Sequence, residues 1–235
     1  MTSHPSSRAT RVVASIALLG ALSAVTGCAQ LVDAFNGLQG TQAVVVPTPE
    51  PATEKAEMVF DSRFTHDGSV SLSSDVADQL EVRLDVWASD PKRTMEWHPQ
   101  GPKTFGFAVN VYDHRVDEKA VLAQKRRVFV SHVSITSQTA QASNQTSAPF
   151  QFAADPRTLV PADTLRSDRG LLLNSFQGGL LVPELTINQL PDDTYGVTLQ
   201  FAITVSVEGA ANDDTTFQQQ VVYQVLPIAI FAPES

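Results

Sequence analysis

The sequence predicts an all-β protein, a mostly antiparallel two-layer sandwich, and three observations carry that expectation. Apolar residues recur with period two at intervals from Met58 to Phe231, the spacing that gives a strand one buried and one solvated face. Turn-forming clusters such as His66-Asp67-Gly68, Gly178-Gly179 and Pro191-Asp192-Asp193 punctuate the alternation. No amphipathic helical pattern of ordinary length interrupts it. A sheet with one wet face buries the other against a second layer, and short connections favour antiparallel neighbours.

In chain order, a first weak strand is expected at residues 58–64 and a second at 69–73. The segment LEVRLDVWA then sets Leu80, Val82, Leu84 and Val86 against Glu81, Arg83 and Asp85 on the other face. In TFGFAVNVYD, Phe105, Phe107, Val109 and Val111 line one side. Further strands are expected at 128–136, 171–175 and 180–187. The clearest alternation is YGVTLQFAITVSV, with Tyr195, Val197, Leu199, Phe201, Ile203, Val205 and Val207 on one face, and a last strand covers 217–226. An immunoglobulin-like sandwich with loop insertions is the commonest solution to such a pattern, although those domains usually need only about 100 residues; a closed barrel is the alternative. Two insertions account for the extra length: a polar one at 139–149, expected to be floppy, and one at 154–170, whose Leu159, Val160 and Leu165 can pack down.

The N-terminus is organised differently. Arg8 and Arg11 precede the apolar run VVASIALLGAL and the small residues Thr26 and Gly27, the layout of a secretory signal peptide. Residues 12–32 carry no charge, enough for a membrane span of about 20 residues, but the second half is too weakly apolar for that to be preferred. The stretch Val25-Thr26-Gly27-Cys28 resembles the lipobox of bacterial lipoprotein precursors. The resemblance covers only the first 28 or so residues. It implies diacylglyceryl attachment through the Cys28 sulfur, cleavage before Cys28, and a membrane-anchored protein on the extracytoplasmic face. The expected organisation is therefore a signal peptide at 1–27, a lipidated N-terminus and Pro-rich tether at 28–57, and the sandwich at 58–235. Within the tether, Leu31, Val32, Phe35 and Leu38 fit one face of a short helix lying on the bilayer, or equally a frayed turn.

Cys28 is the only cysteine, so neither an intrachain disulfide nor a CxxC site can form. Removing residues 1–27 takes two of 16 basic residues and no acids, leaving 14 against 25 and a formal charge of −11. That balance excludes nucleic acid as the expected partner, since phosphates need a basic footprint. Eight of those 14 cations nevertheless fall between Lys92 and Arg127, with four acids among them. The strand expected at 104–112 divides the group, with Lys92, Arg93 and Lys103 at its start and Arg115, Lys119, Lys125, Arg126 and Arg127 beyond its end. Arg93 beside Trp97 has the composition of a binding hot spot, and Trp87 falls opposite Leu84 and Val86. Arg93, Trp97, Arg115, Lys119, Lys125, Arg126 and Arg127 are accordingly the candidate interaction residues, and charge reversal at Arg126 and Arg127 is expected to weaken recovery of a cross-linked partner while shifting the melting temperature by no more than about a degree or two.

No catalytic motif of known spacing is present. His66, His98, His114 and His132 are too dispersed to predict a metal site, and Asp113-His114 with a serine forms a triad only if geometry brings them together. No cofactor is expected. The function expected is a binding or interaction module of the cell envelope, its partner another envelope protein. A carrier for a small apolar or carbohydrate ligand and an envelope hydrolase are the alternatives.

Overall fold

The computed structural model describes residues 59–175 and 178–232. The signal peptide, Cys28, the tether with its helix, and Met58 lie outside the described residues. Among the described residues, ten strands follow a short helix. The helix, α1, is Arg63–Asp67. Strands β1 to β10 are Ser69–Ala77, Leu80–Ala88, Lys103–Asp113, Val128–Gln141, Gln151–Ala154, Arg166–Ser167, Gly170–Leu172, Leu180–Ile187, Thr194–Val207 and Gln218–Ala229.

They form two antiparallel sheets, one in the order β1-β2-β3-β8, the other β10-β9-β4-β7-β6 with β5 also paired to β4. The predicted two-layer sandwich is what the chain adopts. Its strand order is a three-strand meander extended by a late strand, whereas the corresponding immunoglobulin sheet runs A-B-E-D. Register follows the hydrophobic pattern: Val82 faces Val111, Leu84 faces Val109 and Val86 faces Phe107 across β2 and β3, so a one-residue slip would turn every one of these side chains to solvent.

The core lies between the layers. Phe105, Phe107 and Phe201 are fully buried with Val82, Leu84, Val109, Ile135 and Ile203. Phe107 of the first sheet meets Phe201 of the second at a centroid distance of 5.8 Å and Phe152 at 6.2 Å, both edge-to-face. Burial of each such ring contributes about 1.5–3 kcal/mol, and the edge-to-face geometry adds about 0.5–1.5 kcal/mol per pair.

Three expectations are corrected here. Residues 59–64 are not a strand: Ser62 caps α1 by accepting the Thr65 amide at 3.0 Å, and Gly68 ends it at φ 73°, a left-handed conformation that glycine adopts without strain. The Ser62 and Thr65 side chains also pin α1 to β10, Ser62 Oγ donating to the Pro227 carbonyl at 2.8 Å and Thr65 Oγ1 accepting from the Ala229 amide at 2.9 Å. Strand β4 runs to Gln141 rather than stopping at 136, because buried polar groups sustain it. Ser137 Oγ donates to the Phe150 carbonyl at 2.9 Å, and Thr139 Oγ1 accepts the Ser147 amide at 2.8 Å. The polar insertion is thereby laced to its own strand and not loose.

The second insertion behaves as expected at Val160, which packs against the core, while Leu159 and Leu165 stay exposed. Arginines organise it: Arg157 pairs with Asp155 at 2.6 Å, and Arg166 Nη1 donates to the Arg157 carbonyl at 3.1 Å.

Candidate functional site

The ends of β3 carry the candidate residues, and the structure separates those that build the fold from those that face solvent. At the first end, Asp90 caps a short 3-10 helix of about two turns at Pro91–Glu96, and Thr94 Oγ1, buried, donates to the Thr65 carbonyl at 2.6 Å. An open cleft of about 670 Å³ lies beside this turn, lined among others by Arg93, Met95, Trp97, His98 and Phe231.

Trp97 is not the exposed aromatic expected there. It is buried, with its ring 5.8 Å from Phe64, and its carbonyl accepts the Phe231 amide at 2.8 Å. The cover comes from α1, which the alternation pattern concealed. Met95, about half exposed, is the apolar side chain that reaches solvent. Trp87 is half-buried and lies over Gly106, where an added Cβ would sit 2.7 Å from the indole. Arg93 is exposed and pairs with Glu96 at 2.6 Å, a surface contact of small energetic weight.

Lys103, expected to be one of the exposed cations, is fully buried. Its ammonium donates to the carbonyls of His98 at 3.1 Å, Pro99 at 3.0 Å and Gly101 at 2.5 Å. It thus closes the loop that follows Trp97, and burial pushes its pKa down to about 8. The adjacent His98 Nδ1 is buried without a hydrogen-bond partner.

At the second end, two adjacent arginines turn inward. Arg126 is buried; its Nη2 donates to Asp113 Oδ1 at 2.9 Å and to the Asp78 carbonyl at 2.6 Å, and its amide reaches Asp113 Oδ2 at 3.0 Å. Arg115 adds a bond to Asp113 Oδ2 at 3.0 Å. Burial alone would raise the Asp113 carboxyl, but hydrogen bonds from Arg115 and Arg126 outweigh it and hold the group well below the usual carboxylate range. Arg127 grips the fully buried Glu208 and reaches Asp214 at 2.7 Å. Burial also opposes ionisation of Glu208, and the Arg127 bonds again prevail. Arg126 and Arg127 are therefore structural, and the expectation that reversing their charges leaves stability untouched is overturned.

What remains open at this end is a cleft of about 1030 Å³ between the end of β3 and the connection to β4. Its lining includes Arg83, Tyr112, His114, Lys119, Val121 and Lys125. Lys119 is exposed and Lys125 half-buried, and neither carries an ion pair among the described residues. Arg83 stacks over Tyr112, its Cζ 3.9 Å from the ring centroid. Its buried Nε has no hydrogen-bond partner, Glu81 Oε1 lying 3.6 Å away. Sequence pattern concealed this stack, although the outward alternation of β2 and β3 held the clue: Glu81 and Tyr112 are register partners.

The Asp113-His114 pair does not form an acid–base relay. Asp113 faces arginines, and His114 Nε2 instead meets Glu81 Oε2 at 2.9 Å. Ser73 Oγ donates to that same carboxylate at 2.6 Å, so the hydroxyl is bound to the acid and not to the imidazole, the reverse of what nucleophile activation requires. Hydrogen bonds from Ser73 and then His114 hold the Glu81 carboxyl low. Among the described residues no group of three His, Cys, Asp or Glu is placed to hold a metal ion. No protein-family model and no curated protein matches the chain.

Replacing Arg126 with Met should cost about 3–5 kcal/mol, the usual penalty for stranding one member of a buried pair; a loss below 1 kcal/mol in urea titrations would contradict the assignment. The second expectation concerns pH. The unfolded Lys103 binds a proton up to about pH 10.5 whereas the folded one releases it from about pH 8, so the unfolded state holds more protons in that window and stability rises across it. The urea midpoint should climb between those pH values in the native chain and climb less in Lys103→Met, and parallel curves for the two proteins would refute the burial argument.

Proposed function

We propose that the protein is a lipid-anchored module on the extracytoplasmic face of a cell membrane that acts by binding another envelope protein. The anchoring half rests on the lipobox-like Val25-Thr26-Gly27-Cys28 following a basic start and an apolar run. A diacylated cysteine supplies two acyl chains, which hold a protein on a bilayer where one chain is marginal.

The observation that carries the binding half is the cleft at the end of β3. Exposed Lys119, half-buried Lys125 and the Arg83–Tyr112 stack line a concave surface on an otherwise acidic chain. Arg83 is ion-paired with Glu81 at 3.6 Å and its side chain is still partly exposed, so its guanidinium can meet an acceptor entering the cleft, where a hydrogen bond is worth more as water is excluded. Tyrosine and arginine are the residue types that dominate binding energy at interfaces. The partner chemistry this favours is an acidic, acceptor-rich protein surface, drawn in by the local positive charge.

Two experiments test the halves separately. Cys28→Ala should abolish fatty-acid labelling and leave the precursor uncleaved by lipoprotein signal peptidase; labelling that persists would end the anchoring proposal. Lys119→Glu, at the exposed cation of the cleft, should reduce recovery of a cross-linked partner from native membranes, with the melting temperature within about a degree or two because exposed charges contribute little. An unchanged set of cross-linked proteins would remove the cleft from consideration.

A further inference from the structure

Among the described residues five strands have an unpaired edge, β1, β8, β10, β6 and the four-residue β5, and all but β10 are short or blunted against further pairing. β8 carries Pro183 and Glu184, β1 carries Asp75 and a register shift between Asp75 and Ala77, and β6 is two residues long. Proline, charge, bulges and brevity are the devices by which sheet edges avoid pairing with other chains. β10 uses none of them over most of its length. From Gln218 to Leu226 it contains no charge and no proline.

The same strand is apolar where it meets solvent. Tyr223 is 72% exposed, Val225 55% and Val221 41%. The free side of the backbone belongs to these same residues. β10 pairs with β9 without a register shift, and at its C-terminal end α1 bonds the Pro227 carbonyl and the Ala229 amide, so odd-numbered residues turn their backbone groups away from β9. By the two-residue period, the amides and carbonyls of Gln219, Val221, Tyr223 and Val225 face outward as well. The even-numbered side chains are occupied: the Gln220 amide donates to the Val76 carbonyl at 2.8 Å and the Gln224 amide to the Ser73 carbonyl at 3.2 Å. These bonds engage carbonyls of β1 and, among the described residues, leave the β10 edge from Gln219 to Val225 unpaired.

We infer that β10 pairs, edge to edge and antiparallel, with β10 of a second copy of this chain, making one sheet continuous across a two-fold dimer. The self-complementary register selects this occupant, and charge permits it. The chain has a formal charge of −9, so two copies repel across most of their surfaces, whereas 218–226 presents no charge to oppose its twin. A two-fold axis at Val222 sets each Val221 opposite the second copy's Tyr223 and each Gln219 opposite the second copy's Val225. That register joins odd residue to odd residue, which the outward backbone groups require, and matches a β-branched residue with an aromatic one, a favourable cross-strand pair. Such an interface is self-complementary, as a closed two-fold dimer demands.

The test is the mass of the full chain in mild detergent by sedimentation, as wild type, as Tyr223→Lys with Val225→Lys, and as Leu181→Lys, a control on the exposed edge of β8. Wild type and control should sediment at twice the chain mass and the double variant at the chain mass, a twofold drop. A monomeric wild type, a double variant that stays dimeric, or a control that also dissociates would each overturn the inference. Hydrogen exchange on the wild type gives a second measurement that needs no variant. The amides of Val221, Tyr223 and Val225 should be protected at high protein concentration and lose that protection on dilution; rapid exchange at both concentrations would overturn it equally.

Discussion

The junction at Arg126-Arg127 is the constraint on which the two layers depend. The chain leaves β3 in one sheet and begins β4 in the other at this point, and each arginine fastens one side of the crossing. Arg126 returns to Asp113 at the end of β3, while Arg127 reaches Glu208 just past β9. Both carboxylates are buried, so each would be costly without its guanidinium. Buried pairs of this kind are not in themselves a source of net stability, since desolvation takes back most of the attraction. Their consequence is specificity: any other crossing geometry strands a charge in the interior.

With no second cysteine to cross-link the layers, everything between these fastenings is held by shape. Phe107 reaches across to Phe201 and Phe152, and α1 closes one end by placing Phe64 on Trp97. Lys103 closes the loop behind Trp97 through three backbone carbonyls. The inward-turned charged residues thus sit at the ends of the sandwich, one of which is also closed by Phe64 and Trp97, and the Phe107 cluster sits at its centre. Cations that look like a surface patch in one dimension become anchors in three.

This explains what the sequence made legible and what it hid. β2, β3, β8 and β9 were readable to within a residue or so because alternation is a local property, set by which face of the strand is wet. α1 was hidden because Phe64 also fits a two-residue period, and only the Ser62 and Gly68 caps distinguish the helix. The destinations of Arg126 and Lys103 were hidden for a different reason. A guanidinium in a polar connection looks the same whether it meets water or a carboxylate 13 positions earlier in the chain. Net positive charge over 92–127 was real, but Arg93, Arg115, Arg126 and Arg127 meet carboxylates and Lys103 meets backbone carbonyls; Lys119 and Lys125, with the Arg83 stack, line the open cleft and remain the candidates for a partner.

The two surfaces that remain do not compete. β10 borders β1, as the glutamine bonds to Val76 and Ser73 require, and β1 is separated from β3 by β2, with neighbouring strands about 4.8 Å apart. Joining two copies through β10 extends the sheet away from β4 and β7, on whose side the cleft lies through Leu173 and Asn174. A two-fold assembly would therefore carry two open clefts. Two clefts on one body convert a weak contact into a stronger one when the partner is itself repeated, because the second engagement becomes intramolecular. On the proposed reading, edge pairing and cleft binding would serve one outcome, with the uncharged strand setting the spacing of the two clefts.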